Sequence, residues 1–327
     1  MLIETEFRKH LQNRGLSANE VEFAVAAVSE FIEYLQEKRT SFEHASLDAL
    51  KDYISQLINE KENSIDGFIA IARYCNLAKK NDFYVYLASI LGARNVLPDI
   101  GERLAEIAGE DTRRKVFQSF KLPPLGASPE NYPGLTQMIM QRMEAELPSE
   151  TCRKILTWNY HKVPASAFNE KKRRFDKANS IDEYLRDEHK RLVEELEKFM
   201  KEGRIWYEQE ITPEVLEFVK CNQEITGVRH GDRIFLTKIP YAPKEYLKEK
   251  DPVLKRYYAC HCPLARSAIR DGNHGISPTF CYCSSGFEKV HFDVIFGEPV
   301  EVELLESVLK GDMRCRFANK IPKAKMK

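Results

Sequence analysis

The spacing of apolar residues changes once along this chain, and that change limits the possible folds more than any other feature. From Ser17 to about Glu224 the apolar positions recur at helical intervals; after Gly227 they begin to alternate. The pattern predicts an α+β protein, with a mostly α N-terminal helical bundle followed by a smaller mixed α+β cysteine-rich domain. Ser17 and Glu20 predict a capping box, ahead of the stripe Val21, Ala24, Val25, Val28, Phe31, Ile32 and Leu35. Ser46 is placed to cap a second helix and Ser64 a third. Amphipathic helices must bury their apolar faces on one another, so residues 1–121 are read as a bundle.

Residues 122–134, LPPLGASPENYPG, are rich in turn formers and read as a linker. Residues 135–226 are read as a helical region packing on the C-terminal part. Its methionines, Met138, Met140 and Met143, suit a core face more often than a ligand surface. A second capping box, Ser180 and Glu183, opens a helix over 181–202 that Gly203 stops. The basic run KKRRFDK (171–177) is compatible with a phosphate contact, but the acidic residues that follow favour a solvated helix face. Residues 227–327 form the α+β domain, with a strand over 233–240 and a helix over 284–296. Two further strands, 298–307 and 313–321, join around Gly311-Asp312.

Four of the eight cysteines lie between Tyr257 and Phe287, as Cys260 with Cys262 and Cys281 with Cys283. Cys75, Cys152 and Cys221 are scattered. A Cys-x-Cys pair in extended chain sets both thiols on one face, and two pairs supply the four thiolates that tetrahedral zinc takes. Zinc on Cys260, Cys262, Cys281 and Cys283 is the first expectation and an iron–sulfur cluster the second. His261, His274 and His291 are further candidate ligands, and Cys315 a further thiol. Two alternatives stay open. The pairs serve as catalytic or redox thiols activated by His261, Arg266 or Arg270, or they are buried cysteines filling a core.

The run FRKHLQNRGLSANEVEFAVAAVSEFIEYLQ, with LDALKDYISQL after it, resembles the helical core-binding domain of tyrosine recombinases. The likeness lies in the helix pattern and reaches no catalytic motif, so recombinase activity is not carried over. Cys315 lies in LKGDMRCRF, and that turn with its final strand resembles the four-vinyl reductase type of domain and the aminothiazoline-carboxylate hydrolases. That resemblance implies an α+β fold and a cysteine-lined site for a small ligand. The doubled cysteines, Cys-His-Cys-Pro and Cys-Tyr-Cys-Ser, depart from it. YYACHCPLAR, FCYCSSGF and LKGDMRCRF together resemble a family of uncharacterised prokaryotic proteins, which implies no activity.

Fifty basic residues balance fifty acidic ones, which argues against a general nucleic-acid or anionic-membrane surface. No apolar run approaches the roughly 20 residues of a membrane span. The N-terminus MLIETEFRKHLQNRG is charged and amphipathic, unlike a signal peptide, so a cytoplasmic protein is expected. Three functions are carried forward. The first is a zinc protein that binds a small molecule or hydrolyses one. The second is a cysteine-dependent hydrolase of a small cyclic or amide substrate. The third is a DNA-associated sensor with the N-terminal helices as reader.

Overall fold

A computed structural model describes residues 3–92, 94–272 and 275–326. The chain is mostly helical, with one small antiparallel sheet near the C-terminus, in line with the α+β expectation. Its packing divides it into two units, one of residues 1–94, 122–129 and 203–208, the other of residues 95–121, 130–202 and 209–327.

The first unit holds α1 (Glu4–Asn13), α2 (Ala18–Glu37), α3 (Leu47–Glu60), α4 (Ile65–Leu77) and α5 (Asn81–Gly92). Local chemistry starts these helices where the sequence predicts. The Ser17 Oγ accepts from the Glu20 N–H, and the Glu20 carboxylate accepts from the Ser17 N–H at 2.7 Å. Ser46 and Ser64 accept from the N–H groups of Ala49 and Gly67. The stripe buries Val21, Val28, Phe31 and Leu35 against Phe7, Leu50, Phe68, Tyr74 and Phe83. Rings meet edge-on in this core, as with Phe7 and Tyr74 at 5.3 Å, the geometry that ring quadrupoles favour. Residues 122–129, within the stretch read as a linker, pack in this unit. The Asn63 side chain donates to the Leu125 carbonyl at 2.8 Å. Gly126, at φ +92°, lies so close to Phe68 and Ile54 that a Cβ would stand 2.8 and 2.9 Å from them.

The second unit begins with α6 (Val96–Ala108) and α7 (Glu110–Val116), helices that the sequence pattern had joined to the bundle. Next come α8 (Pro133–Glu146), α9 (Ser149–Leu156), α10 (Asn169–Lys177), α11 (Ile181–Glu202) and α12 (Pro213–Lys220). Met140 and Met143 of α8 are fully buried, as core methionines are. In α10 the cations Lys171, Lys172, Arg173 and Arg174 are paired with Glu188, Asp176, Glu170 and Glu188 respectively. Ser180 does cap α11, but the Glu183 carboxylate bonds the N–H of Asn179 and not that of Ser180, so the box is shifted by one residue. The sheet has β1 (Val228–His230), β2 (Arg233–Thr237), β3 (Val302–Glu306) and β4 (Arg316–Lys320) in the order β1-β2-β4-β3, all antiparallel. Four further helices complete the unit: α13 (Pro243–Lys248), α14 (Pro252–Ala259), α15 (Arg266–Arg270) and α16 (Tyr282–Phe296).

One core joins the sheet to two helices: Ile234, Leu236 and Ile321 meet Tyr184 and Leu185 of α11 and Phe292, Ile295 and Phe296 of α16. At its N-terminal half α16 runs against the chain at Thr157 and Trp158. A Cβ on Gly286 would lie 2.3 Å from the Trp158 nitrogen and 2.4 Å from its oxygen. Backbone cannot yield there as a side-chain end can, so Gly286→Ala is expected to lower stability by about 1–3 kcal/mol. A urea midpoint unchanged by the substitution would contradict that packing.

Candidate functional site

The site is built where one end of the sheet meets three chain breaks. Thr237, Arg316 and Glu306 are register partners across β2, β4 and β3, and they mark that end. Cys315 immediately precedes β4. Its carbonyl accepts from the Thr237 hydroxyl at 3.2 Å and the Lys238 N–H at 3.3 Å. Asp251 caps α14 through the Val253 and Leu254 N–H groups, and that helix ends at Cys260. Cys262 follows, its carbonyl taking the N–H groups of Ala265 and Arg266 ahead of α15. Cys281 stands at the N-cap of α16 and Cys283 in its first turn. The positive end of a helix dipole favours a thiolate there.

Burial raises all five thiols here, and Cys260, Cys262 and Cys315 pack in one cluster. Burial first, then the charges of Cys260, Cys283 and Cys281, push the Cys262 thiol well above its ordinary range. Burial and Cys315 do the same to Cys281, partly offset by the Ser307 side chain and the Leu309 backbone, which both hydrogen-bond its sulfur. Burial and Cys315 push Cys260 up to about 12. Burial pushes Cys283 up to about 12 as well, against the opposing charge of Lys238. Cys315 is raised by burial and lies in one apolar cluster with Cys260, Val308 and Phe317. Cys260, Cys283 and Cys315 are buried, whereas Cys262 and Cys281, one from each pair, are partly open to solvent.

His261 and His291 fall elsewhere. His261 turns away from its cysteine neighbours, with its Nε2 on the Ile239 carbonyl at 2.6 Å and its ring edge-on to Tyr241. Burial, then Lys238 and Arg266, holds it neutral, with its pKa near about 3. His291 lies between Phe168 and Phe292, where burial and Lys171 keep it neutral and no cysteine is among the groups acting on it. His274 is outside the described residues. Of the activating cations considered, Arg266 lies over the Tyr241 ring at 3.8 Å and does lower Cys260, while Arg270 pairs with Asp271.

Three groups at the site, Lys238, Glu288 and Ser307, have no counterpart among the residues singled out from the sequence. Lys238 leaves β2 and pairs with Glu288 of α16 at 3.0 Å. Ser307 holds Cys281 from the end of β3. Glu288 was legible in principle, because it shares a helical face with the buried Ser285 and Phe292. Lys238 was hidden in an alternating strand, where facing is decided by register.

Soft thiolates are the right chemistry for zinc or an iron–sulfur cluster. Among the described residues, however, no three His, Cys, Asp or Glu side chains are placed to hold an ion together as they stand. No helix among those residues is long and apolar enough to cross a membrane. One His-x-x-Arg does occur, His230 to Arg233. The two residues are paired across the β1–β2 turn, and Arg233 is engaged by Glu303.

The site thus belongs to a helix-covered antiparallel sheet with a thiol cluster at one end. Residues 242–326, which hold all five thiols, match the model of a family of unknown function (DUF6144). No curated protein and no solved structure matches the chain.

The half-buried His291 carries a pH consequence. His291 lies well below its ordinary 6.5 when folded, so the unfolded chain binds the extra proton first as pH falls. Stability contributed by the neutral ring is full above about pH 6.5 and is lost progressively below it. Replacing His291 with Gln is expected to flatten the acid limb of a urea-stability profile. An unaltered slope would contradict its burial as a neutral ring.

Proposed function

We propose that the C-terminal part of this chain is a soft-metal site, zinc by first choice, in a protein that handles a small molecule. Cys260, Cys262, Cys281 and Cys283 are the ligands in this reading, and Cys315 lies beside them. What supports it is the gathering of Cys260, Cys262 and Cys315 in one packed cluster, with Cys281 and Cys283 at the start of α16. Thiolates gathered in a buried place repel one another. A dication removes that repulsion, so gathering them serves a cation. The thiols are not drawn into a coordinating set as they stand, so the reading requires the two pairs to close on the ion. Iron with sulfide is the second choice for the same four ligands.

A cysteine-dependent hydrolase has less behind it. It needs a base within hydrogen-bond reach of the nucleophile, from His261, His274 or His291; His261 is committed to Ile239, His291 lies elsewhere, and His274 is outside the described residues. Exposure of Cys262 and Cys281 is what favours it. The DNA-sensor reading has only the helical N-terminal unit in its support, and the basic run of α10 is already occupied by carboxylates.

The test is elemental analysis of the full chain purified without added metal or chelator, with a native thiol count. About one zinc per chain with four thiols protected supports the proposal. Serine at any one of Cys260, Cys262, Cys281 or Cys283 is expected to lower the zinc content, and serine at the exposed Cys221 to leave it unchanged. Metal-free protein, with Cys262 and Cys281 labelled rapidly, would overturn it in favour of thiol chemistry.

A further inference from the structure

Residues 242–326 hold five arginines, and one of them is held differently from the rest. Arg270 pairs with Asp271, Arg314 with Glu306 and Arg316 with Glu224, while Arg256 donates to the carbonyls of Pro252 and Val308. Among the described residues no carboxylate pairs with Arg266, whose guanidinium lies instead over the Tyr241 ring, 3.8 Å from its centre, with the Tyr257 ring at 5.6 Å. The side chain also hydrogen-bonds Tyr241. The chain that carries it is fixed on the core. Ala265, Ala268 and Ile269 are buried, and the Thr136 hydroxyl donates to the Leu264 carbonyl at 2.9 Å. Cys262, one helical turn earlier, takes the Arg266 N–H on its carbonyl at 2.9 Å. Cys262 packs with Tyr257 on the cluster around Cys260 and is partly open to solvent.

Arg266 is half-buried, and a charge withdrawn from water without a counter-ion is costly; ring faces offset that only in part. The same stacking prepares the group for binding. A guanidinium laid over a ring keeps its N–H groups in its own plane, around the edge of the stack, and a side chain already held loses little freedom when a ligand arrives. That planar fork suits the two oxygens of one carboxylate or phosphate. Arg314 and Arg316, also half-buried, find such a group within the protein, and Arg266 does not. Resting on the small-molecule part of the reading above, and on no particular ion at the thiols, we propose that Arg266 anchors a small organic anion beside Cys262. The anchored group is a carboxylate or a phosphate ester, and the rest of the molecule meets the open thiol.

The test uses the full chain, native and with Arg266→Gln or Arg266→Lys, each checked for native circular dichroism. Benzoate and phenyl phosphate are the anionic probes, and benzamide is the neutral one. A saturating anion is expected to raise the native thermal midpoint by about 2–4 °C, and benzamide to leave it in place. Which of the two anions binds tells a carboxylate site from a phosphate site. Arg266→Gln is expected to abolish the shift. Arg266→Lys, which keeps the charge but not the fork, is expected to retain only part of it, and decides the question if Arg266→Gln does not fold. No anion-specific shift in the native chain, an equal shift in Arg266→Gln, or a full shift in Arg266→Lys overturns the proposal. Placement beside the thiol is read from alkylation of Cys262 by iodoacetate against iodoacetamide, with the exposed Cys221 as internal reference. The iodoacetate preference at Cys262 is expected to fall about tenfold in Arg266→Gln, and an unchanged preference ends the proposal. Zinc content is measured on the same samples. A native chain that takes no zinc fails the metal reading alone, whereas a zinc-loaded chain without an anion shift fails this inference alone.

Discussion

The pairing of β2 with β4 is the constraint on which the second unit depends. It joins Arg233–Thr237 to Arg316–Lys320, segments far apart in sequence, in one antiparallel register. That register brings Cys315 and Lys238 to the same end of the sheet, with the Cys315 carbonyl taking donors from Thr237 and Lys238. A slip of one residue would turn Ile234, Leu236 and Phe317 away from the core and carry Cys315 with them. The hydrophobic contacts of α11 and α16 on that face hold the register in place.

Given the register, the remaining parts of the site arrive by helix ends. α14 delivers Cys260 where its hydrogen bonding stops, and α16 delivers Cys281 and Cys283 where its own begins. Helix ends are suited to such work, because their free backbone groups already orient polar and anionic partners. Gly286 lets α16 approach the chain at Trp158 closely enough to fix the direction of its first turn. The result is a largely buried group of thiols at one end of the sheet. Burial holds its thiols protonated, and Lys238 pairs there with Glu288.

Much of this was legible in residues. The caps at Ser17, Ser46 and Ser64, the stripes behind them, and the strand texture after Gly227 are local patterns, and each produced its element. β1 escaped because three residues are too few to show an alternation. The assignment of α6 and α7 to the second unit also escaped, because an amphipathic stripe shows that a helix has a buried face but not which surface covers it. His261 is the clearest case at the site. Its place between two cysteines suggested a ligand, but neighbours in extended chain point to opposite sides, and it turned to Ile239.

The sequence by itself determined where helices begin, where the period of the chain changes, and that its thiols come in two close pairs with a fifth on the last strand. Those are matters of backbone propensity and short-range spacing, which a linear chain carries whole. Tertiary structure alone decided that Cys315 packs with Cys260 and Cys262, that Lys238 and Glu288 meet, and that His261 and His291 turn to other partners. Those meetings depend on strand register and helix packing, in which residues far apart in the chain become neighbours only when the apolar core closes.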